Sequence, residues 1–397
     1  MSRSITNAPP TLGSMPGEQH LLQLDALRAF AVFGVLISHF TPHGSWINRL
    51  IPWGYLGVKL FFVLSGFLIT GILLRCKKTI EDGEEKSSFI IRQFYIRRFL
   101  RIFPLYYLVV ALAAIMNFGT IREFFYWHVL YASNFIVALR DSWIGLESHF
   151  WSLSVEEQYY LFWPCLVIFT PRKYLTKVIY FAILLGPVTR LVCMLFGANL
   201  AAVTLTPACL DSLGLGALLA VYSQGRTHVL KHGSLLTRTG QAGGLLLIGT
   251  LLAERLQLGG LMTSVLRDTF ASMLFTWLVW RAAQGFRGVS GTILQLKPLA
   301  YVGKISYGIY IYHNFTHLLA WYPSLLKLFG LTYPASYIGQ FALKTTATVL
   351  VASLSWHLFE LPINNLKKYF AYKKHTPSEK KSTSLAPTTF AEVRGDS

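Results

Sequence analysis

An all-α, polytopic membrane protein is the fold class this sequence predicts. Three observations point there. Of 397 residues, 53% are hydrophobic and only 14% are charged, against ~25% charged in soluble domains. The mean hydropathy is +0.46. Apolar runs of about 20 residues, the length a bilayer core demands, recur along the chain. So little polar surface could not cover a soluble globule. The same composition excludes a disordered chain, a disulfide-stapled secreted domain and an ordinary cytosolic enzyme.

About ten transmembrane helices are expected, at 24–43, 55–74, 102–118, 152–170, 178–197, 207–223, 240–253, 264–281, 299–322 and 336–359. The run at 240–253 is short, and 119–150 could hold a re-entrant or interfacial segment. Basic residues set the orientation. Loop 75–101 carries Arg75, Lys77, Lys78, Lys86, Arg92, Arg97, Arg98 and Arg101, and loops of the same phase carry Arg172, Lys173, Lys177, Arg226, Lys231, Arg238, Arg281, Arg287 and Lys297. The opposing loops hold only Arg49, Arg122, Arg140, Arg255 and Lys327. This asymmetry predicts both termini in the cytoplasm, which requires an even number of spans and agrees with ten. The protein is therefore expected as a multi-pass component of the cell (inner, cytoplasmic) membrane.

Three regions are expected: a flexible cytoplasmic N-terminus at 1–22, without the apolar core of a cleavable signal; the transmembrane domain at 23–370; and a disordered basic tail at 371–397, rich in Lys, Ser, Thr and Pro. The net charge of +18 then reads as basic loops facing anionic lipid, not as a nucleic-acid surface. Cys76, Cys165, Cys193 and Cys209 have no CxxC or metal spacing and read as core residues. No internal repeat of the kind found in many transporters is visible.

Chemistry can reside only in the few polar side chains near or within these runs, because such groups are costly there. In LDALRAFAVFGVLISHF, Arg28 and His39 stand eleven residues apart, about three turns, so they share a helix face and lie ~16 Å apart along the axis. Arg28 can also be an interfacial arginine paired with Asp25. His39 can serve as a base near pH 7, or be a buried histidine satisfied by another helix. In RRFLRIFPLYY, Arg98 and Arg101 are neighbours at i, i+3 and repel each other. A bound polyphosphate would offset that repulsion, and positive-inside anchoring at the cytoplasmic end of the third span explains the pair equally well. In HFWSLSVEEQYYLFWP, Ser154 and Glu157 fit a capping box, and Trp151, Tyr159, Tyr160 and Trp163 fit an interfacial aromatic belt. Glu156 and His149 remain unexplained by either; a carboxylate here could orient a histidine or hold a sugar hydroxyl. Asp211, His313, His317, His357 and Glu360 complete the intramembrane candidates, and the small residues around Asp211 suggest close helix packing. No HExxH, P-loop, GxGxxG or GxSxG pattern occurs, so metal, nucleotide and serine-hydrolase chemistry lack support.

Taken together, these segments resemble the membrane acyltransferase 3 family, the O-acyltransferases of bacterial surface glycans. Its Arg-x10-His pattern is matched by Arg28 and His39, and its FFxLSGFL pattern by 61–70. RxxRIxPxY is matched by Arg98, Arg101, Ile102, Pro104 and Tyr106. WSLxvExxFY is matched by Trp151, Ser152, Leu153, Glu156 and Tyr160. DxLxLGxLLA is matched from Asp211, SYxxYxxH by Ser306, Tyr307 and on to His313, and SxxxxExP by Ser355, Glu360 and Pro362. Seven patterns in order cover about 22–368. The departures are Tyr159–Tyr160 where Phe–Tyr is usual and a Gly-rich variant after Asp211. The extra extracytoplasmic domain of some members is not seen, which would leave the chemistry to the membrane domain.

The resemblance implies transfer of an acyl group, most often acetyl, from acyl-CoA to a hydroxyl of a sugar. That sugar would sit on a lipid-linked or exported glycan or a small glycosylated product. It also implies roles. His39 would be the base, or a transient acyl carrier. Arg28 would stabilise the thioester oxyanion or hold CoA. Arg98 and Arg101 would grip CoA phosphates, and Glu156 would orient His39 or the acceptor. Asp25, Asp211, Ser306, Tyr307 and His313 are further candidates. Acyl-CoA is thus a donor substrate; no permanently bound cofactor or metal is expected. Two rivals remain: a ten-helix transporter or permease of a small polar molecule, which would not consume acyl-CoA, and a non-catalytic partner in glycan assembly, which would tolerate loss of His39.

Overall fold

The computed structural model describes residues 18–42, 44–224, 226–317, 323–328, 330 and 332–373. Most of the expected N-terminal segment, at 1–17, and most of the expected tail, at 374–397, lie outside them. Among the described residues there is no strand. The helices in order are α1 (Glu18–Phe40), α2 (Trp46–Leu50), α3 (Trp53–Glu81), α4 (Ser87–Ile115), α5 (Phe125–Val129), α6 (Ser133–Arg140), α7 (Phe150–Phe169), α8 (Arg172–Leu195), α9 (Asn199–Thr204), α10 (Leu210–Tyr222), α11 (Arg226–Arg255), α12 (Leu261–Gln284), α13 (Gly288–Leu294), α14 (Lys297–Lys304), α15 (Ser306–Tyr312), α16 (Pro323–Leu328), α17 (Tyr337–Ser355) and α18 (Leu361–Asn365).

Five of the described helical stretches are long and apolar enough to cross a membrane: Leu22–Phe40, Trp53–Glu81, Ser87–Ile115, Arg172–Leu195 and Tyr337–Tyr369. α7 and α12 have the length of a span, at 20 and 24 residues, but interleave it with aromatic, hydroxyl and charged side chains. α10, at 13 residues, is shorter than the run from which it was expected.

Several expectations are corrected. The stretch 75–101 is not a loop: α3 runs on to Glu81 and α4 begins at Ser87, so Arg92, Arg97, Arg98 and Arg101 stand on a helix. Hydropathy marks where the apolar run ends, whereas a helix satisfies its own backbone in either medium and continues past it. The run 299–322 is broken into α14, α15 and a 3₁₀ turn, His313–His317. There the His313 Nδ1 meets the Tyr310 carbonyl at 2.6 Å, and the Thr316 hydroxyl donates to the His313 carbonyl at 2.5 Å. Such local bonds compete with the helical ladder. Ser154 and Glu157 do not cap α7, which starts at Phe150 after a 3₁₀ turn at Leu146–His149. Ser154 instead donates to the Phe150 carbonyl and meets the Ser133 hydroxyl at 2.8 Å. Trp151, Tyr159, Tyr160 and Trp163 are buried against neighbouring helices and form no surface belt. The segment 119–150, left open in the sequence to a re-entrant or interfacial segment, folds into α5, α6 and the 3₁₀ turn, none long enough to span.

The core is built on α3, which packs against α1, α7, α10 and α12. Small residues let the backbones approach. A Cβ on Gly66 would lie 1.9 Å from the Leu213 carbonyl oxygen of α10, and one on Gly216 would lie 2.1 Å from that of Val63. Gly66→Val is therefore expected to lower the Tm of the detergent-solubilised protein by separating α3 from α10, at a cost of ~1–3 kcal/mol or more; an unchanged melting curve would contradict this contact.

Candidate active site

A polar cavity of about 120 Å³ opens between α1, α3, α4, α7 and α15. Arg28, Arg98, Arg101, Glu156, Ser306 and Tyr307 all line it, so six of the ten site residues that the resemblance implies meet in one place. Each is delivered by its helix. Arg28, midway along α1, pairs with Asp25 one turn earlier. Asp25 lies where α1 meets α14, its carbonyl close against Gly303. The helical repeat puts Arg98 and Arg101 on one face of α4. The Arg98 guanidinium lies 5.6 Å from the Phe94 ring centroid, and its Nε has no hydrogen-bond partner among the described residues. Glu156 accepts a hydrogen bond of 2.5 Å from Ser65 of α3, whose hydroxyl in turn accepts one of 3.0 Å from Tyr160. The Tyr307 hydroxyl donates to the Ile102 carbonyl at 2.8 Å. Three guanidinium groups and two carboxylates, Glu156 and Glu157, thus face one small cavity.

His39 does not line that cavity. It sits in the last turn of α1, edge-on to His313 with ring centroids 4.8 Å apart, and His313 lies 4.6 Å from His149. The structure thus gathers three histidines from three segments. A carbonyl can only accept, so the bond to Tyr310 places the proton of neutral His313 on Nδ1 and leaves Nε2 as the basic nitrogen. The His149 Nδ1 faces the Leu146 carbonyl at 3.1 Å and the Asn314 amide nitrogen at 3.0 Å. The turn carrying His149 is fixed by Glu147, which accepts from the Thr120 backbone N–H at 2.8 Å and from the Thr120 hydroxyl. Burial pushes the Glu147 carboxyl above its ordinary range, and the Thr120 donors oppose that shift.

Tyr310 joins the two regions. It lines the arginine cavity, and its ring lies 5.6 Å from that of His149 and 5.5 Å from that of His313. Its hydroxyl meets Ser152 at 2.5 Å and donates to the His149 carbonyl at 2.9 Å. One aromatic side chain thus separates the arginine-lined cavity from the three histidines.

Asp211 lies elsewhere. It is fully buried and takes two hydrogen bonds from Arg190, of 3.2 and 2.7 Å, with a third of 2.7 Å from Thr269. Asp268 sits 3.7 Å from the same guanidinium and 2.7 Å from the Lys59 ammonium. Two cations and two anions thus bind α3, α8, α10 and α12 into a buried network away from the cavity. Glu360 is buried and accepts from Ser355 at 3.1 Å, His357 is exposed beside Tyr301, and the His317 side chain lies outside the described residues. Sequence reasoning covered Ser65 and Tyr310 only as unassigned positions of the patterns at 61–70 and 306–313, and passed over Lys59, Arg190 and Asp268. The last three had a signal: charges inside apolar runs whose signs, with Asp211, sum to zero. Among the described residues no three His, Cys, Asp or Glu side chains converge as a metal site.

The family model described as an acyltransferase domain (acyltransferase 3) matches residues 21–357. A peptidoglycan O-acetyltransferase, OatA, of Listeria monocytogenes is 30% identical over 89% of this chain and 57% of its own length. A putative peptidoglycan O-acetyltransferase, YrhL, of Bacillus subtilis is 29% identical over 86% of this chain and 54% of its own. The O-acetyltransferase OatA of Staphylococcus aureus is 26% identical over 93% of this chain and 61% of its own. The chain therefore spans somewhat more than half the length of these relatives. No solved structure matches.

Proposed function

Because the chain belongs to the membrane acyltransferase 3 family, we propose that it moves an acyl group, acetyl by the names of its relatives, to a sugar hydroxyl of a surface or cell-wall glycan. The observation that carries this reading is the arginine cavity abutting the histidine cluster through Tyr310. Acyl-CoA is the donor. Its phosphates lie against Arg98 and Arg101, with Arg28 adding a third guanidinium from α1, and its thioester reaches toward Tyr310. Glu156, held by Ser65, positions the reacting ends.

A sugar hydroxyl needs a base to attack. His39, edge-on to His313, removes the proton. The hydroxyl oxygen bonds to the thioester carbonyl carbon, the C–S bond breaks, and the thiolate leaves as CoA with that proton. In this reading ten helices cross the cell membrane with both termini in the cytoplasm. Cysteine labelling with an impermeant reagent in intact cells should then mark sites at 44–54 and spare 82–86 and the C-terminus; labelling of the C-terminus would reverse the orientation.

Purified protein given acetyl-CoA and a glycan acceptor should release free thiol in step with acetyl ester on the sugar. Thiol release without ester, or neither, would sink the reading. Replacing Arg98 or Arg101 with Ala should raise the KM for acyl-CoA roughly 10- to 100-fold, the worth of one charged hydrogen bond, with only partial rescue by Lys, which lacks the bidentate fork. An unchanged KM at normal expression would return both residues to membrane anchoring.

A further inference from the structure

A second, larger and mainly apolar cavity lies beside the first. It holds about 570 Å³ between α4, α5 and α7. One wall is a ladder on α4 at four-residue spacing, Tyr95, Phe99, Phe103 and Tyr107. Ring centroids are 4.9 Å apart between Phe99 and Phe103 and 5.5 Å apart between Phe103 and Tyr107. At ~1.5 Å rise per residue the ladder is ~18 Å long, close to the ~15 Å that one leaflet contributes to a ~30 Å hydrocarbon core. α4 itself is long and apolar enough to span that core. The rim is open: Phe99, Leu130 and Leu161 expose 52%, 73% and 55% of their surface. In a bundle of membrane-spanning helices such apolar surface meets hydrocarbon, so the groove opens sideways into the bilayer.

The groove carries one charge of each sign. Arg98 of α4 and Glu157 of α7 are the charged side chains of its lining. Neither is in ion-pair contact among the described residues, and the Arg98 Nε has no hydrogen-bond partner among them. The tyrosine hydroxyls nearby are spent on the protein itself. Tyr95 donates to the Leu161 carbonyl at 2.6 Å, Tyr107 to the Val129 carbonyl at 2.8 Å and Tyr160 to Ser65 at 3.0 Å. Charges at membrane depth are costly unless they are paired, so an occupant that answers both is favoured over bare hydrocarbon. The guanidinium fork suits a phosphate. An ionised carboxylate only accepts hydrogen bonds, so it calls for a cation with N–H donors. A primary ammonium has three; a quaternary one has none. A phosphate head group without a cation would answer Arg98 and set a second negative charge beside Glu157.

We propose that this groove binds one phospholipid whose head group joins a phosphate to a primary ammonium. The phosphate sits against Arg98, the ammonium donates to Glu157, and one hydrocarbon chain lies along the aromatic ladder while the other stays in the bilayer. Arg98, Glu157 and Tyr160 also line the polar cavity, so a head group held there closes that cavity toward the bilayer. The site is a lipid site in its own right and does not depend on the acyl-transfer reading.

The test titrates the purified full chain, in detergent micelles, with phosphatidylethanolamine, phosphatidylcholine and phosphatidylglycerol of identical chains, and counts adducts by native mass spectrometry. Phosphatidylethanolamine should fill a first site at a roughly 10-fold lower concentration than either of the others, the worth of one charged hydrogen bond. Glu157→Gln should remove most of that preference. In the unaltered chain, phosphatidylethanolamine with a diazirine in its hydrocarbon chain should crosslink to 95–107 of α4 or to 129–131. Equal affinities for the three lipids, a first site that prefers phosphatidylglycerol or phosphatidylcholine, a preference that largely survives Glu157→Gln, or crosslinks confined to other helices would each overturn the proposal. The lipid comparison and the crosslinks need no variant, so a Glu157→Gln protein that fails to fold leaves the test intact. No acyl-CoA or glycan is present, so failure here leaves acyl transfer standing, and failure of acyl transfer leaves the lipid site standing.

Discussion

His39→Ala is expected to leave the protein folded and inserted while acyl transfer falls by ~10²-fold or more, the usual worth of a positioned base. The side chain sits at the end of α1 and is exposed, so its loss removes little packing. What it removes is an imidazole held edge-on to His313. His39→Gln keeps a hydrogen-bonding group but cannot take up the proton, and it should be as inactive as Ala. The KM for acyl-CoA should change little, because His39 lies outside the arginine cavity. If His39→Gln transfers acetyl at a near-normal rate, the base lies elsewhere, with His313 and then His149 the next candidates by geometry.

Asp211→Ala should act by a different route, through the fold. It would leave the Arg190 guanidinium buried, with Asp268 3.7 Å away and already bound to Lys59. Breaking one side of a buried ion pair costs about 3–5 kcal/mol, whereas replacing both partners by apolar groups of similar size is often neutral. Asp211→Ala should therefore lose most of its monodisperse protein on size-exclusion chromatography, and Arg190→Met combined with Asp211→Leu should recover much of it. A stable, monodisperse Asp211→Ala protein without transferase activity would instead place Asp211 in the chemistry.

The membrane class of the fold was legible because composition alone forbids a soluble surface. The long helices followed from apolar runs, and Arg28, Arg98, Arg101 and Glu156 were legible because charges stand out against those runs. Three things were not. The continuation of α3 and α4 through 75–101 was hidden because hydropathy reports the medium and not the backbone. The place of α7's start was hidden because Ser154 and Glu157 imitate a cap, when the preceding 3₁₀ turn had already begun the helix. The meeting of His39, His149 and His313 was hidden because it depends on which helices touch, and no periodicity carries that information. Arg190 could have been found by asking which opposite charge Asp211 needs in an apolar surrounding.

The most direct test of the account is a single-turnover experiment with the reconstituted protein, acetyl-CoA labelled in its acetyl group, and a glycan acceptor. The account predicts that label moves to the sugar one-for-one with free thiol, and that His39→Gln binds the donor with unchanged affinity yet passes no label. Label reaching the sugar at the same rate in His39→Gln, or never leaving CoA in the unaltered protein, would contradict it.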